Sequence, residues 1–445
     1  MSISRPVMGL VAAATLVSLV APPASAAPSY DGKPVAQGAG WLSGQLTKDL
    51  VHNEQFQFDD IGLSIDFALG LDAAGKKATV AKSITKAVTK NVAFYVGDGD
   101  QGIYAGPTAK AAVLARSQGK NPRSFGGVDL VKQLEGRVAA TASIAGRIQD
   151  AYDPTSEFGG DFANVIGQAY AAQALSDAKS AMAGSVASFL LEQQCSDGYF
   201  RLGFTKDKTA ADQSCDGAPK SQRTADTDAT AIVVLALQHL KGAAAKKAVK
   251  TATAWLIGVQ AANGSFGGGK STRDANSNST GLAGWALGAT GATEPAARAA
   301  AWVRNLQVAA NPCANQLATS AGAIAYDDTA YGNAQGLGIK KRDQDQWRRA
   351  SAQALPVLQW APRAAGDLSA SSAHSVRSGE QFRINVAGVA PGQRVCVSSG
   401  ASTYEFESGK KATTHVSFAV DGSGAHTYQV WVGNQHRDVT VRVLG

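Results

Sequence analysis

The sequence predicts a mainly α chain: an (α/α)6 toroid of six inner and six outer helices, followed by a small β-sandwich. Three observations predict it. Six nearly all-apolar runs of helix length recur between residues 61 and 358. A Gln-centred template recurs in the less apolar segments between them. Beyond about residue 373 the hydrophobic period changes from that of a helix to that of a strand.

Taken in order, the 445-residue chain opens with one early cation, Arg5, then an apolar run reaching Val20, then PPASAAPS. Small residues at Ala24 and Ala26 suit signal peptidase, which predicts a cleaved secretory leader over residues 1–26. No twin arginine stands before the apolar run, so general export is the expected route. No Cys follows the run to take a lipid, and the closing VTVRVLG has no hydrophobic tail. The expectation is a secreted protein, extracellular or cell-wall associated, without membrane insertion.

The formal charge of +7 is thinly spread, and its densest patch, KKRDQDQWRR at 340–349, is interrupted by aspartates. Nothing in this pattern resembles a nucleic-acid-binding module. The mild excess suits an anionic wall and solubility equally well. Four cysteines, Cys195, Cys215, Cys313 and Cys396, read as disulfides in an oxidising compartment, with three possible pairings. Cys195 and Cys215 bracket one polar loop and are the expected bridge. A Cys313–Cys396 bridge would have to link two domains. No CxxC or HxxxH spacing exists, so no metal is expected, nor any other cofactor.

The toroid is expected over residues 38–362. Its apolar runs are IGLSIDFALGL (61–71), TAKAAVLARS (108–117), NVIGQAYAAQAL (164–175), DATAIVVLAL (228–237), STGLAGWALGA (279–289) and WRRASAQALPVL (347–358). Taken alone, Ile232 to Leu235 suits a buried strand, but its counterparts are dominated by the helix formers Ala and Leu. Helices apolar all round must be buried. The intervening template appears in FLLEQQCSDGYF (189–200) and WLIGVQAANGSF (255–266), with its first half in WVRNLQ (302–307). Six buried helices wrapped by six outer ones close on themselves and need no terminal caps.

A Pro/Ala/Ser/Gly-rich linker is expected over 363–373, and an immunoglobulin-like sandwich over 374–445. There QFRINVAGV places Phe382, Ile384 and Val386 on one face, and DVTVRVLG does the same with Val439, Val441 and Val443. Between them THVSFAVDGSGAHTYQVWVG reads as a hairpin turning at Asp421 and Gly422.

WLIGVQAANGSFGG and FLLEQQCSDGYF resemble the Gln-Trp repeat of terpenoid cyclases, most clearly over residues 186–310. Phe200 and Phe266 stand where those repeats usually end in Trp. The resemblance implies the terpenoid-cyclase/protein-prenyltransferase toroid, and it extends to secreted bacterial terpene cyclase/mutase-like (prenyltransferase-repeat) proteins. It also bears on TADTDATAIVVLALQHL (224–240). Class II cyclases carry Asp-x-Asp-Asp followed by Thr-Ala, which Asp226, Asp228, Thr230 and Ala231 match, with Ala229 in place of the last Asp. The resemblance makes Asp228 the proton donor and Asp226 its tuner.

Physical chemistry gives a competing reading of that pair. An ordinary Asp titrates near about 3.9, so an alkene-protonating acid requires burial beside a second carboxylate. Asp228, Asn278 and Asp60 each lie nine residues before a leucine, at Leu237, Leu287 and Leu69. Asp and Asn serve a helix N-cap equally, whereas Asn cannot donate the proton. Capping therefore explains the repeat, and catalysis would be an addition to it. Trp285, Phe67 and Leu235 share one helix position, which either lines a central cavity or packs on the outer helices. DGDQG (98–102) begins like a calcium loop but lacks the later acidic ligands.

The functional expectation is a non-catalytic protein that binds a small-molecule or glycan ligand at a mouth ringed by inner-helix N-termini. Asp60, Asn164, Thr230, Asn276, Asn278 and Trp285 would contact it, and the sandwich would attach to a wall or another protein. The alternatives are a class II terpene cyclase or isomerase, and a carbohydrate hydrolase or lyase using Asp60 with Asp228 across the ring.

Overall fold

The computed structural model describes residues 29–97, 102–155, 159–400, 402–407 and 413–445. The expected leader and residues 98–101 of the DGDQG loop lie outside these.

The outer helices are α1 (Gly32–Ser43), α3 (Ala78–Val96), α5 (Leu130–Glu135), α7 (Ala183–Glu192), α9 (Ala243–Val259) and α11 (Thr293–Asn305). The inner ones are α2 (Ile61–Ala73), α4 (Ala105–Ser117), α6 (Val165–Asp177), α8 (Thr227–Leu237), α10 (Ser277–Ala289) and α13 (Gln344–Ala354), the last continued by a 3-10 turn, Leu355–Trp360. One further helix, α12 (Asp328–Leu337), lies in the final connection. Each inner helix packs on the next, and α13 packs back on α2, which closes the ring. Small residues permit this closeness: a Cβ at Gly70 of α2 would stand 2.7 Å from the Ala352 carbonyl oxygen of α13.

The Gln template has a mechanical explanation. Gln194 donates through Nε2 to the Gly198 carbonyl and to that of Ala248 on the next outer helix, at 2.9 and 3.0 Å. Gln260 does the same to Gly264 and Pro295, at 3.0 and 2.9 Å. Gln307 clasps Gly322 and Pro34, which joins the last outer helix to the first. Each clasp fixes its own turn and ties it to a backbone carbonyl of a neighbouring outer helix.

A second ring of bonds runs from loops to inner helices. The backbone N–H groups of Phe200 and Phe266 donate to the Thr230 and Thr280 hydroxyls, both at 2.9 Å. Val51 and Ile324 likewise donate to Ser64 and Ser351, each at 2.9 Å. Ile148 donates to the Gln168 side chain at 2.9 Å. These polar side chains are fully buried. They pair loop N–H groups that would be costly to bury unmatched.

The C-terminal region is a sandwich of two sheets. One has strands in the order Ser402–Glu407, Arg394–Ser399, Gly424–Val432, Gln435–Leu444 and Ser375–Arg377; the other has Thr413–Ala419, Gln381–Ala387 and Ser369–Ser371. Phe382, Ile384 and Val386 face the core, as do Val439, Val441 and Val443. All pairings are antiparallel except residues 442–444 with 375–377. One expectation fails here: Thr413–Ala419 and Gly424–Val432 belong to different sheets, so the Asp421–Gly422 turn carries the chain across the sandwich. Both segments need an apolar partner face, and each finds its own in a separate layer.

Cys195 pairs with Cys215, and Cys313 with Cys396, with Cα separations of 4.9 and 5.8 Å. The second bridge ties the toroid to the sandwich. Arg394 reinforces it by donating to the Asn305 carbonyl at 2.6 Å and pairing with Asp328 at 2.9 Å, while Glu405 on the adjacent strand of its own sheet holds it at 3.2 Å.

Candidate functional site

Four inner helices begin with a side-chain cap. Leu63 N–H donates to Asp60, Gly167 to Asn164, Ala229 to Asp226 and Ser279 to Asn276, at 2.7, 3.0, 2.8 and 2.9 Å. Each cap lies eleven residues before a buried leucine, at Leu71, Leu175, Leu237 and Leu287. The expected register, which placed Asp228 and Asn278 at the cap beside Asp60, is therefore two residues out. Asp226 is the cap, and Asp228 lies inside the first turn.

This changes the character of the acid pair. Asp226 is 7 % exposed. Its pKa is raised by burial, against the N–H bonds of Ala229 and Asp228. Burial lifts the Asp228 pKa to about 6, with Ser279 opposing and the Asp226 charge adding to the rise. Oδ1 of Asp228 is buried without a hydrogen-bond partner among the described residues. The glycine-rich turn at 267–269 covers the pair: a Cβ at Gly268 would stand 2.7 Å from Asp228 Oδ2 and 2.8 Å from the Ser279 hydroxyl.

A cavity lies elsewhere, along the axis of the ring. Its volume is about 720 Å³, and all six inner helices contribute to its wall. Leu69, Val113, Ile166, Ile232, Leu235, Leu282 and Trp285 make the wall predominantly apolar. The corrected register explains the pattern, since Leu69, Leu235 and Trp285 each precede the anchor leucine by two. Phe67, expected with them, is fully buried in the packing between helices. Asp228 is not among the described residues that line the cavity.

The wall also carries polar groups, among them Asp72, Asp150, Gln173, Gln238, His239 and Gln353, and one ion-paired cluster stands out. Lys110 on α4 pairs with Asp66 on α2 at 2.6 Å and donates to the Gly62 carbonyl at 3.1 Å. Tyr95, from outer helix α3, and Tyr170, from α6, flank the pair within the cavity. Burial raises both tyrosine pKa values, that of Tyr170 to about 12, against the opposing pull of Lys110. Burial also pulls the Lys110 pKa down, but Asp66 outweighs it, so the ammonium stays charged. The sequence did contain a signal for this cluster: Asp66 and Lys110 are single charges inside runs otherwise almost free of charge.

The other expected contacts sort by geometry. Asp60 is held by Arg349 at 2.6 Å. Thr230 and Asn276 are almost wholly buried and serve the loop bond and a cap. Asn278 donates to Gln353 at 2.7 Å, and Gln353 lines the cavity. Asn164 and Trp285 line it directly. Asp60 and Asp228 lie on opposite helices of the ring, and each is engaged by a neighbouring helix, α13 and α10 respectively.

No protein-family model matches the chain, and no curated protein sequence does. Solved structures do. A substituted type II terpene cyclase from Scytonema, in complex with geranylgeranyl dihydroxybenzoate, superposes with a TM-score of 0.50 at 13 % identity, covering 74 % of this chain and 96 % of that one. The fold is the α/α toroid of type II terpene cyclases. The toroid is also similar to ent-copalyl diphosphate synthase from Streptomyces platensis, at TM-score 0.42 and 17 % identity over 68 % of this chain. There it spans about half, 52 %, of that enzyme's length. Unsaturated glucuronyl hydrolase from Bacillus sp. GL1 matches at TM-score 0.45 and 14 % identity, over 74 % of this chain and 98 % of that one. A shared fold does not by itself name a reaction.

Proposed function

We propose that this protein binds a small molecule with a mainly apolar body inside the toroid, without transforming it. The observation that carries this reading is the cavity: about 720 Å³, with a mainly apolar wall that includes the ion-paired cluster of Lys110 and Asp66. That size and composition are usual for a small-molecule site, for which about 300–1,000 Å³ is typical. The rim of helix N-termini is a poorer receptor, because Asp60, Asp226 and Asn276 are already taken up by their own helices. The sandwich, tied on by the Cys313–Cys396 bridge, is the part available for attachment to a wall or another protein. The test is displacement of the neutral fluorophore N-phenyl-1-naphthylamine by C20 isoprenoids. Leu235→Arg, which places a charge in the wall, is expected to abolish uptake while the protein stays folded. Uptake that survives this change would refute the reading.

A second reading keeps Asp228 as a general acid. It is supported by a pKa near 6 beside an unpartnered oxygen. Against it stand Ala229 in place of the third carboxylate and the turn at Gly268 lying over the acid. Turnover of an isoprenoid by the wild type that is lost in Asp228→Asn would establish it.

A further inference from the structure

The cavity wall is polarised, and the ring topology makes this visible. In ring order α2 stands opposite α8, and α4 opposite α10. Asp66 and Lys110 lie on α2 and α4, with Tyr95 and Tyr170 beside them. The facing wall on α8 and α10 presents Ile232, Leu235, Leu282 and Trp285, with Gln238 and His239 only past the C-terminal end of α8. A ligand lying across the middle of this space meets the ion-paired cluster at one side and hydrocarbon at the other.

The polar side has a definite charge state. Lys110 and Asp66 are paired at 2.6 Å, so the pair is neutral as a unit. Two of the three ammonium N–H groups are taken, by Asp66 and by the Gly62 carbonyl. The third is free, and neither tyrosine hydroxyl has a partner among the described residues. With their pKa values raised by burial, both tyrosines remain protonated donors at neutral pH. The cluster therefore offers three unclaimed donors and no uncompensated positive charge.

We propose that Lys110, Asp66, Tyr95 and Tyr170 receive an uncharged oxygen of the ligand, a hydroxyl or carbonyl, and select against carboxylate and diphosphate heads. A carbonyl accepts from Lys110 and a tyrosine; a hydroxyl can also donate to Asp66. An anionic head would compete with Asp66 for the one cation and leave a net charge in a low-dielectric space, which is costly. A pure hydrocarbon would leave the donors unmatched in contact with apolar surface. This deepens the cavity-binding reading and rests on it.

The experiment compares three C20 probes on the full chain: geranylgeraniol, geranylgeranyl diphosphate and phytane, each displacing N-phenyl-1-naphthylamine. Geranylgeraniol is expected to bind roughly tenfold more tightly than phytane, the factor for about one hydrogen bond to a charged donor, and more tightly still than the diphosphate. Tyr170→Phe is expected to reduce the preference for the alcohol over phytane severalfold. The double change Asp66→Leu with Lys110→Met, which removes both charges together, is expected to abolish it while phytane binding persists. Binding of the diphosphate as tight as that of the alcohol would overturn the proposal. So would a preference for the alcohol that survives both variants. If none of the three displaces the fluorophore, the cavity-binding reading falls first and the proposal with it.

Discussion

Replacing Asp228 by Asn is expected to stabilise the protein at neutral pH. The carboxyl titrates near 6 in the folded chain against an ordinary 3.8. Well below pH 3.8 it is protonated in both folded and unfolded states and contributes no difference, and at pH 4 the difference is still only about half a kcal/mol. As the pH rises towards 6, the unfolded chain ionises freely while the folded one resists. The stability conferred by the neutral form is lost across that window, and above pH 6 the loss is complete. A displacement of about 2 units corresponds to roughly 3 kcal/mol. Asn keeps the shape and removes the titration. Asp226, not Asp228, caps the helix, so the cap survives the change. For a toroid of this size, 3 kcal/mol is about 4 °C in melting temperature. The assay is the difference in thermal midpoint between variant and wild type, by circular dichroism at pH 4 and pH 8. Near-equality at pH 4 with the variant about 4 °C higher at pH 8 is the expected outcome. An equal or lower midpoint at pH 8 would show that Asp228 is not desolvated as described.

The ring of loop bonds gives a second prediction. Thr280→Val preserves shape but leaves the Phe266 N–H buried and unpaired, and is expected to cost about 1–3 kcal/mol in chemical denaturation; Thr280→Ser should recover most of the loss. The interdomain bridge gives a third. Cys313→Ser with Cys396→Ser opens a crosslink that spans 83 residues and is expected to cost about 2–5 kcal/mol. In calorimetry the sandwich transition should fall while the toroid transition holds. A single unchanged transition would count against the bridge as the clamp between the two parts.

Much of this fold was legible because its signals are local and repeated. The apolar runs at 61–71, 228–237 and 279–289 are helical wherever they pack, and the Gln template marks the turns between outer and inner helices. The Cys195–Cys215 pairing followed from one bracketed loop. The cap register was not legible. Asp226 and Asp228 are equally good capping residues, and both Leu69 and Leu71 are credible anchors for α2, so alignment by residue type settled two positions away from the geometry. The turn between Thr413–Ala419 and Gly424–Val432 had the composition of a hairpin, and composition does not state which sheet each strand joins.

The sequence by itself determined the helices, their alternation and the closure of six pairs, because periodicity and propensity act within a few residues along the chain. Only the tertiary structure decided where the polar chemistry gathers. Asp66, Tyr95, Lys110 and Tyr170 come from four different helices and meet only because the ring turns them towards one axis. The same is true of the charge of the site. A lysine alone predicts an anion receptor, whereas a lysine matched by a carboxylate 44 residues earlier in the chain predicts a receptor for a neutral group. Electrostatic character depends on distances in space, and the order of residues does not fix those until the core has packed.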